Sequence, residues 1–257
     1  MMMRLFGTFL LALTAAGCFA AAPEITEPAS EKELEDVLTR IDLAANPLKQ
    51  KITTVHLQLT GIIQPINMQI KMEGFADTVQ HKWVKKAIVP GMPGNVELYD
   101  GQNAYSITPG IQTKPVTGKK LVQMRHEAET TDPTLKMMEK YSSVKLDKKK
   151  YDINGHSCYR LICQPKTSAE LPPLELFFDD GTFLEMRSCI LISTDMGTIP
   201  SVTDFKEYKN VNGIPVPFKM TVKQLNMVIA STIDRVQFNR IVPEKTFDKE
   251  AIEDAEE

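Results

Sequence analysis

The hydrophobic spacing along the chain changes once, near residue 50. Before that point Leu34, Val37, Leu38 and Ile41 recur at i, i+3, i+4 and i+7, which lays one apolar stripe along a helix. Ser30 and Glu33 form a capping box at its start, and Asn46-Pro47 ends it. After that point the period is two. Val55, Leu57 and Leu59 alternate with Thr54, His56 and Gln58; Ile66, Met68, Ile70 and Met72 alternate with Asn67, Gln69 and Lys71. Such alternation marks strands with one buried face, and it puts His56 on the solvated side. Near the C-terminus Ile214, Val216, Phe218, Met220 and Val222 share a face. Pro215 and Pro217 on that strand predict an edge, or a stretch where pairing has not begun. In the return strand Ile229, Ile233, Val236 and Phe238 break parity after 233, which predicts a β-bulge.

Four dipeptides punctuate the strands: Asp100-Gly101, Asn154-Gly155, Asp180-Gly181 and Asn212-Gly213. Each suits a type I′ turn, whose twist matches that of a hairpin. A central break, Lys119 to Tyr141, is rich in helix formers. Asp132-Pro133 reads as a cap and first helical residue of a second short helix there, with Leu135, Met138 and Met137 as its apolar contacts. The expected fold is mainly β: one antiparallel meander of about eleven strands with two or three helices. No α/β alternation is present.

Length, 257 residues, allows one large β domain, and 42% hydrophobic with 25% charged residues is ordinary for a globular protein. The formal net charge of -3 leaves no basic footprint for nucleic acid. The N-terminus adds the compartment. Arg4, then Leu5 to Leu13, then small residues give the order of a secretory signal, too short to span a membrane. Ala15-Ala16-Gly17-Cys18 resembles a bacterial lipobox, which makes Cys18 the expected lipid attachment site and residues 1–18 the signal. Cleavage near Ala20 or Ala22 is the alternative. Residues 19–29 read as a tether and 251–257 as an acidic tail.

Candidate chemistry is sparse. His56, His81, His126 and His156 form no close pair, and neither an H-E-x-x-H nor a G-x-S-x-G stretch occurs. Cys158 and Cys163 face opposite ways on one strand, and Cys189 lies two strands off, about 10 Å away, so free thiols are expected. No C-x-x-C or other metal motif is present, and no cofactor is expected. Asp179-Asp180 is explained by its turn, and Lys148-Lys149-Lys150 by a solvated strand edge. Met68, Met72, Met186 and Met220 fall on faces assigned inward, where a flexible thioether suits an adaptable apolar lining or plain core filling.

Several motifs are similar to those of LolA/LolB-like proteins, the outer-membrane lipoprotein-sorting family. They are Tyr99-Asp100-Gly101-Gln102-Asn103-Ala104-Tyr105, Ile153-Asn154-Gly155 leading to Cys158-Tyr159, and Tyr208-Lys209-Asn210-Val211-Asn212-Gly213-Ile214-Pro215-Val216-Pro217-Phe218, with Phe238-Asn239 and Phe247-Asp248 after them. The match spans residues 30–250 and is closest to the broad branch of the family, not its dedicated carriers. The resemblance implies an incomplete barrel around an apolar cavity, with Ser30–Ala45 as plug and Lys119–Tyr141 as lid. It further implies a non-enzymatic role, binding acyl lipid or lipoprotein in the periplasm from an outer-membrane anchor. Leu57, Leu59, Met68, Ile70, Tyr159, Leu161, Met186, Phe218 and Met220 are the expected lining. A sensor or envelope-protein interaction module on the same fold is the rival reading, and a hydrolase with an unrecognised site the third.

Overall fold

The computed structural model describes residues 23–194 and 197–254. The signal, Cys18, the start of the tether and the last three residues lie outside them. Helix α1, Glu31–Ala45, starts at the expected box: Ser30 Oγ accepts from the Glu33 amide, and the Glu33 carboxylate accepts from the Ser30 amide. Thirteen strands follow, two more than expected: β1 Thr54–Gln64, β2 Met68–Asp77, β3 Lys82–Ile88, β4 Asn95–Tyr99, β5 Ala104–Thr108, β6 Gln112–Val116, β7 Tyr141–Ile153, β8 His156–Pro165, β9 Leu174–Asp179, β10 Glu185–Thr194, β11 Gly197–Val211, β12 Ile214–Gln224 and β13 Met227–Phe238. Helices α2, Gly118–Thr130, and α3, Met137–Lys140, sit between β6 and β7. A 3-10 turn, Glu244–Phe247, and helix α4, Lys249–Glu253, close the described chain. The first residues of the acidic tail therefore belong to a helix.

All strands join one antiparallel sheet in the order β6-β5-β4-β3-β2-β1-β13-β12-β11-β10-β9-β8-β7. β6 and β7 are its two edges and do not meet, so the sheet is an incomplete barrel. Each edge is blunted. β6 is short and carries Lys114 and Pro115. β7 is covered by the end of the tether: Pro28 bridges Asp147, the Ala29 amide donates to the Leu146 carbonyl, and the Lys148 amide donates to the Glu27 carbonyl.

The prolines of β12 show how the register is fixed. Asn212 and Gly213 both have positive φ, 49° and 85°, so the hairpin turn is type I′. Val211 and Ile214 then exchange the first pair of ladder bonds, and Pro215 and Pro217 fall at positions whose nitrogens face away from β11. On that other side β13 joins only from Lys219 onward, so no donor is missed. The predicted bulge is present: Gln58 pairs with Arg235 and Leu59 with Ile233, leaving Asp234 extra.

Two of the four expected turns differ. Asn154 and Gly155 form a type I′ pair. Asp100, by contrast, accepts from the Gln102 and Asn103 amides in a four-residue loop. At the β9–β10 turn Asp179, not Asp180, organises the chain, accepting from the Gly181 and Thr182 amides and the Thr182 hydroxyl. Short aspartate side chains mimic backbone turns, which the dipeptide rule does not see. The same effect displaces the second central helix. Asp132 accepts from the Thr134 amide and hydroxyl, and helix α3 begins at Met137 instead of Pro133. Met137 is then fully buried and Met138 exposed.

Candidate functional site: the helix-covered face

Cross-strand partners place one row of side chains along the face that α1 and α2 cover. It runs Met68, Ile63, Ile229, Val222, Thr203, Ser188, Leu176, Leu161, Leu146 over nine strands. Both ends are aliphatic, but the centre is a seam of small hydroxyls. Thr203 and Ser188 are buried there, and near them Gln224 Nε2 donates to Ser201 Oγ at 3.1 Å. The face is apolar on each flank and polar between, not continuously oily.

Leu57, Leu59, Ile70 and Met220 are buried in one cluster, with Met68 and Phe218 packed against it. Leu161 is buried in a second cluster beneath α1, beside Val37, Leu38 and Ile41, with Tyr159 at its margin. Met186 is separated from all of these. Glu185 pairs with Phe178 and Arg187 with Phe177, so Met186 is the extra residue of a bulge. It lies on the opposite face with Ile153, Cys158 and Phe177. Cys158 and Cys163 fall in different clusters, as their odd spacing requires, and Cys158, Cys163 and Cys189 are free.

Helix α2 rests on this face through Met124 and Ala128. It is held by polar contacts that the sequence did not announce. Trp83 Nε1 donates to the Met124 carbonyl at 3.0 Å, and Gln123 Oε1 accepts from the Ser193 amide at 2.9 Å. Lys85 Nζ, almost fully buried over the Trp83 ring, reaches Glu127 of α2 at 3.1 Å and Glu97 at 3.5 Å. A lysine in mid-strand opposite a glutamate is the only sequence signal for that cluster. Across the seam, Tyr208 donates to the Glu185 carbonyl, and desolvation pushes its phenol pKa well above the usual range.

Two cavities among the described residues of this face are small. One of about 30 Å³ lies between Ile41, Phe178, Phe183, Tyr208 and Ile214. Another of about 30 Å³ lies between α2 and Pro165, Leu174 and Ile190. Pockets for drug-sized ligands run to roughly 300–1,000 Å³. A groove of about 690 Å³ lies at the β7 edge, where Pro23, Glu24 and Ile25 run past Lys145, Ile162 and Gln164.

His56 is not solvated. It stacks on Phe75, centroids 4.1 Å apart, and Nε2 lies 2.8 Å from Glu73. Nδ1 lies 3.0 Å from Arg240 Nη1 and 3.3 Å from Gln237 Oε1. The stack buries a ring that alternation assigned to solvent. Among the described residues no three His, Cys, Asp or Glu side chains converge as a metal site.

The open sheet, the N-terminal helix on one half and the central helix on the other can be set beside known structures. A DUF1329 family protein from Desulfovibrio piger aligns over 88% of this chain and 100% of its own, with TM-score 0.60 and 13% identity. A LolA superfamily protein from Nitrosomonas europaea aligns over 84% of this chain and 97% of its own, with TM-score 0.53 and 13% identity. This chain has the fold of LolA superfamily proteins. A candidate outer membrane lipoprotein-sorting protein domain from Vibrio parahaemolyticus covers the same shares at TM-score 0.55 and 12% identity. At such identity the likeness is one of fold. No family model matches the sequence, and no curated protein matches it. No helix among the described residues is long and apolar enough to cross a membrane.

Proposed function

We propose that the protein binds acylated cargo, a lipoprotein or lipid, in the bacterial envelope, between the sheet and helices α1 and α2. The observation that carries this reading is the nine-strand face whose apolar flanks are covered by helices and not by a second sheet. Burying acyl chain yields roughly 0.8 kcal/mol per CH₂, so a sixteen-carbon chain gains on the order of 12 kcal/mol before ordering costs. The two described voids, about 30 Å³ each, cannot hold such a chain, and in this reading α2 withdraws as cargo enters. The hydroxyl seam supplies donors for the ester or amide that joins a chain to its carrier. Cys18, when acylated, tethers the domain to a membrane, and the role is binding, not catalysis.

Native mass spectrometry of gently purified protein tests the proposal. Acyl-lipid adducts, displaced by a fluorescent fatty acid, are the expected result. Protein that carries no lipid and excludes the dye after delipidation sinks it. Labelled palmitate incorporated by the wild type and not by Cys18→Ser tests the anchor separately.

A further inference from the structure

The meander sends its hairpin tips to two ends, and the two ends differ in chemistry. At one end lie the tips after β1 (residues 65–67), β3 (89–94), β5 (109–111) and β12 (225–226). Spatially these four are consecutive, because the strand order runs β6 to β1 and then β13 and β12. At one tip per two strands they trace an arc of roughly 30 Å. No Asp, Glu, Lys or Arg occurs in residues 52–70, 87–96, 101–113 or 224–233. Each tip instead presents an aliphatic side chain to solvent. Ile62, Ile66, Ile88, Met92, Ile111 and Leu225 are between 38% and 65% exposed. The arc ends beyond β12. The β10–β11 tip includes the undescribed pair 195–196, and the β8–β9 loop carries Lys166 and Glu170. The tips at the opposite end are flanked or built by Asp77, Lys82, Asp100, Asp152 and Asp180.

We infer that this charge-free rim is a docking surface for the lipid bilayer, which it enters to the depth of the headgroup and upper acyl region. Three features select a bilayer over a protein partner. The six exposed aliphatic side chains are spread over four tips about two strands apart, whereas a stable protein interface needs roughly 800 Å² of continuous, complementary surface on each side. A fluid surface conforms to separate tips; a folded one does not. The absence of charge over four long stretches removes the desolvation cost that would oppose entry. Finally, Pro65, Pro90, Pro93 and Pro109 occupy three of the tips and take away backbone donors that hydrocarbon could not satisfy. The charged tips at the other end stay in water and fix the direction of approach. With no basic residue on the rim, contact is independent of anionic lipid and of salt.

Tryptophan reporters test the inference in the full chain. The single native tryptophan, Trp83, is fully buried and serves as background. Ile111→Trp and Met92→Trp place reporters on the rim, and Val79→Trp places one at the charged end, where Val79 is also exposed. The expected result with vesicles of brominated phosphatidylcholine is a blue shift and strong quenching at the two rim positions and none at position 79, unchanged by added anionic lipid or salt. Ile66→Asp with Ile111→Asp should lower vesicle affinity about tenfold or more, while circular dichroism and fatty-acid uptake stay as in the wild type. No rim quenching, equal quenching at both ends, or a concentration-dependent dimer that the double variant abolishes would each overturn the inference. Because cargo binding is read by mass spectrometry and docking by quenching, either can fail without the other.

Discussion

Asp147 holds the end of the tether to the sheet, and replacing it tests how much that attachment contributes. The side chain is wholly buried. Its oxygens accept from the Thr26 and Glu27 amides, both at 3.0 Å, and from Tyr151 Oη at 2.8 Å, and they face Arg160 Nη1 at 3.3 Å. Burial opposes the charged form, but the donors from Thr26, Tyr151, Glu27 and Lys149 outweigh it and draw the carboxyl down to about 2. The folded pKa lies below the unfolded one, so the charge stabilises the fold above about pH 4 and this contribution disappears as the pH falls toward 2. A shift of that size corresponds to about 2 kcal/mol. Asp147→Asn removes it, turns an amide donor toward other donors, and leaves Arg160, among the described residues, Glu175 as its ionic partner. The expected total loss is about 3 kcal/mol. Urea denaturation should show it as a lower midpoint at unchanged slope. Between pH 4 and 2 the wild type should lose stability more steeply than the variant. Hydrogen exchange should show protected amides at Ala29 and Lys148 in the wild type and fast ones in the variant. A variant within 1 kcal/mol of wild type, with the same acid slope and the same protection, would refute the assignment of the charge to this role.

Leu59→Ala removes a buried side chain from the core cluster that includes Met124 and Ala128 and should cost about 2–5 kcal/mol by thermal or urea unfolding, unless the site collapses around the cavity. Gly213→Ala places a Cβ 2.5 Å from Leu48 Cδ1 and Gln50 Nε2 at a φ of +85°, and should destabilise by about 1–3 kcal/mol. Burial raises the Cys158 and Cys189 thiols to about 11, so at pH 8 neither should be alkylated by iodoacetamide until denaturant is added; mass spectrometry of the labelled protein reads this directly.

What the sequence revealed follows from range of interaction. The capping box, the 3.6 and 2.0 periods, the two Asn-Gly turns and the bulge after Ile233 are set within a few residues, and each is found in place. The misses are set at longer range or by side chains. His56 alternates as a solvated residue, yet Phe75, Gln237 and Arg240 from other segments cover it. Met186 reads as inward until the bulge on β10 adds a residue and moves it to the other face. The seam of Ser188, Ser201 and Thr203 is invisible in any one strand, because three polar residues on β10 and β11 become one feature only through pairing. The edge strand β6, five residues with a lysine and a proline, has no alternation to detect.

Leaving the sheet open has a mechanical consequence for the proposed cargo site. Closing a barrel removes edges, but the interior can then be reached only by parting strands and breaking a ladder of backbone bonds. Here the edges β6 and β7 are protected separately, by Lys114 and Pro115 on one and by the Asp147-held segment on the other. The interior is closed by helices that contribute nothing to the ladder. Helix α2 is fixed to the sheet by side chains, through Trp83, Gln123 and the Lys85–Glu127 pair. It can withdraw while all thirteen strands keep their partners. The cost of uncovering the lining is then the loss of a few side-chain contacts and of the apolar area under Met124 and Ala128, which an entering acyl chain replaces in kind.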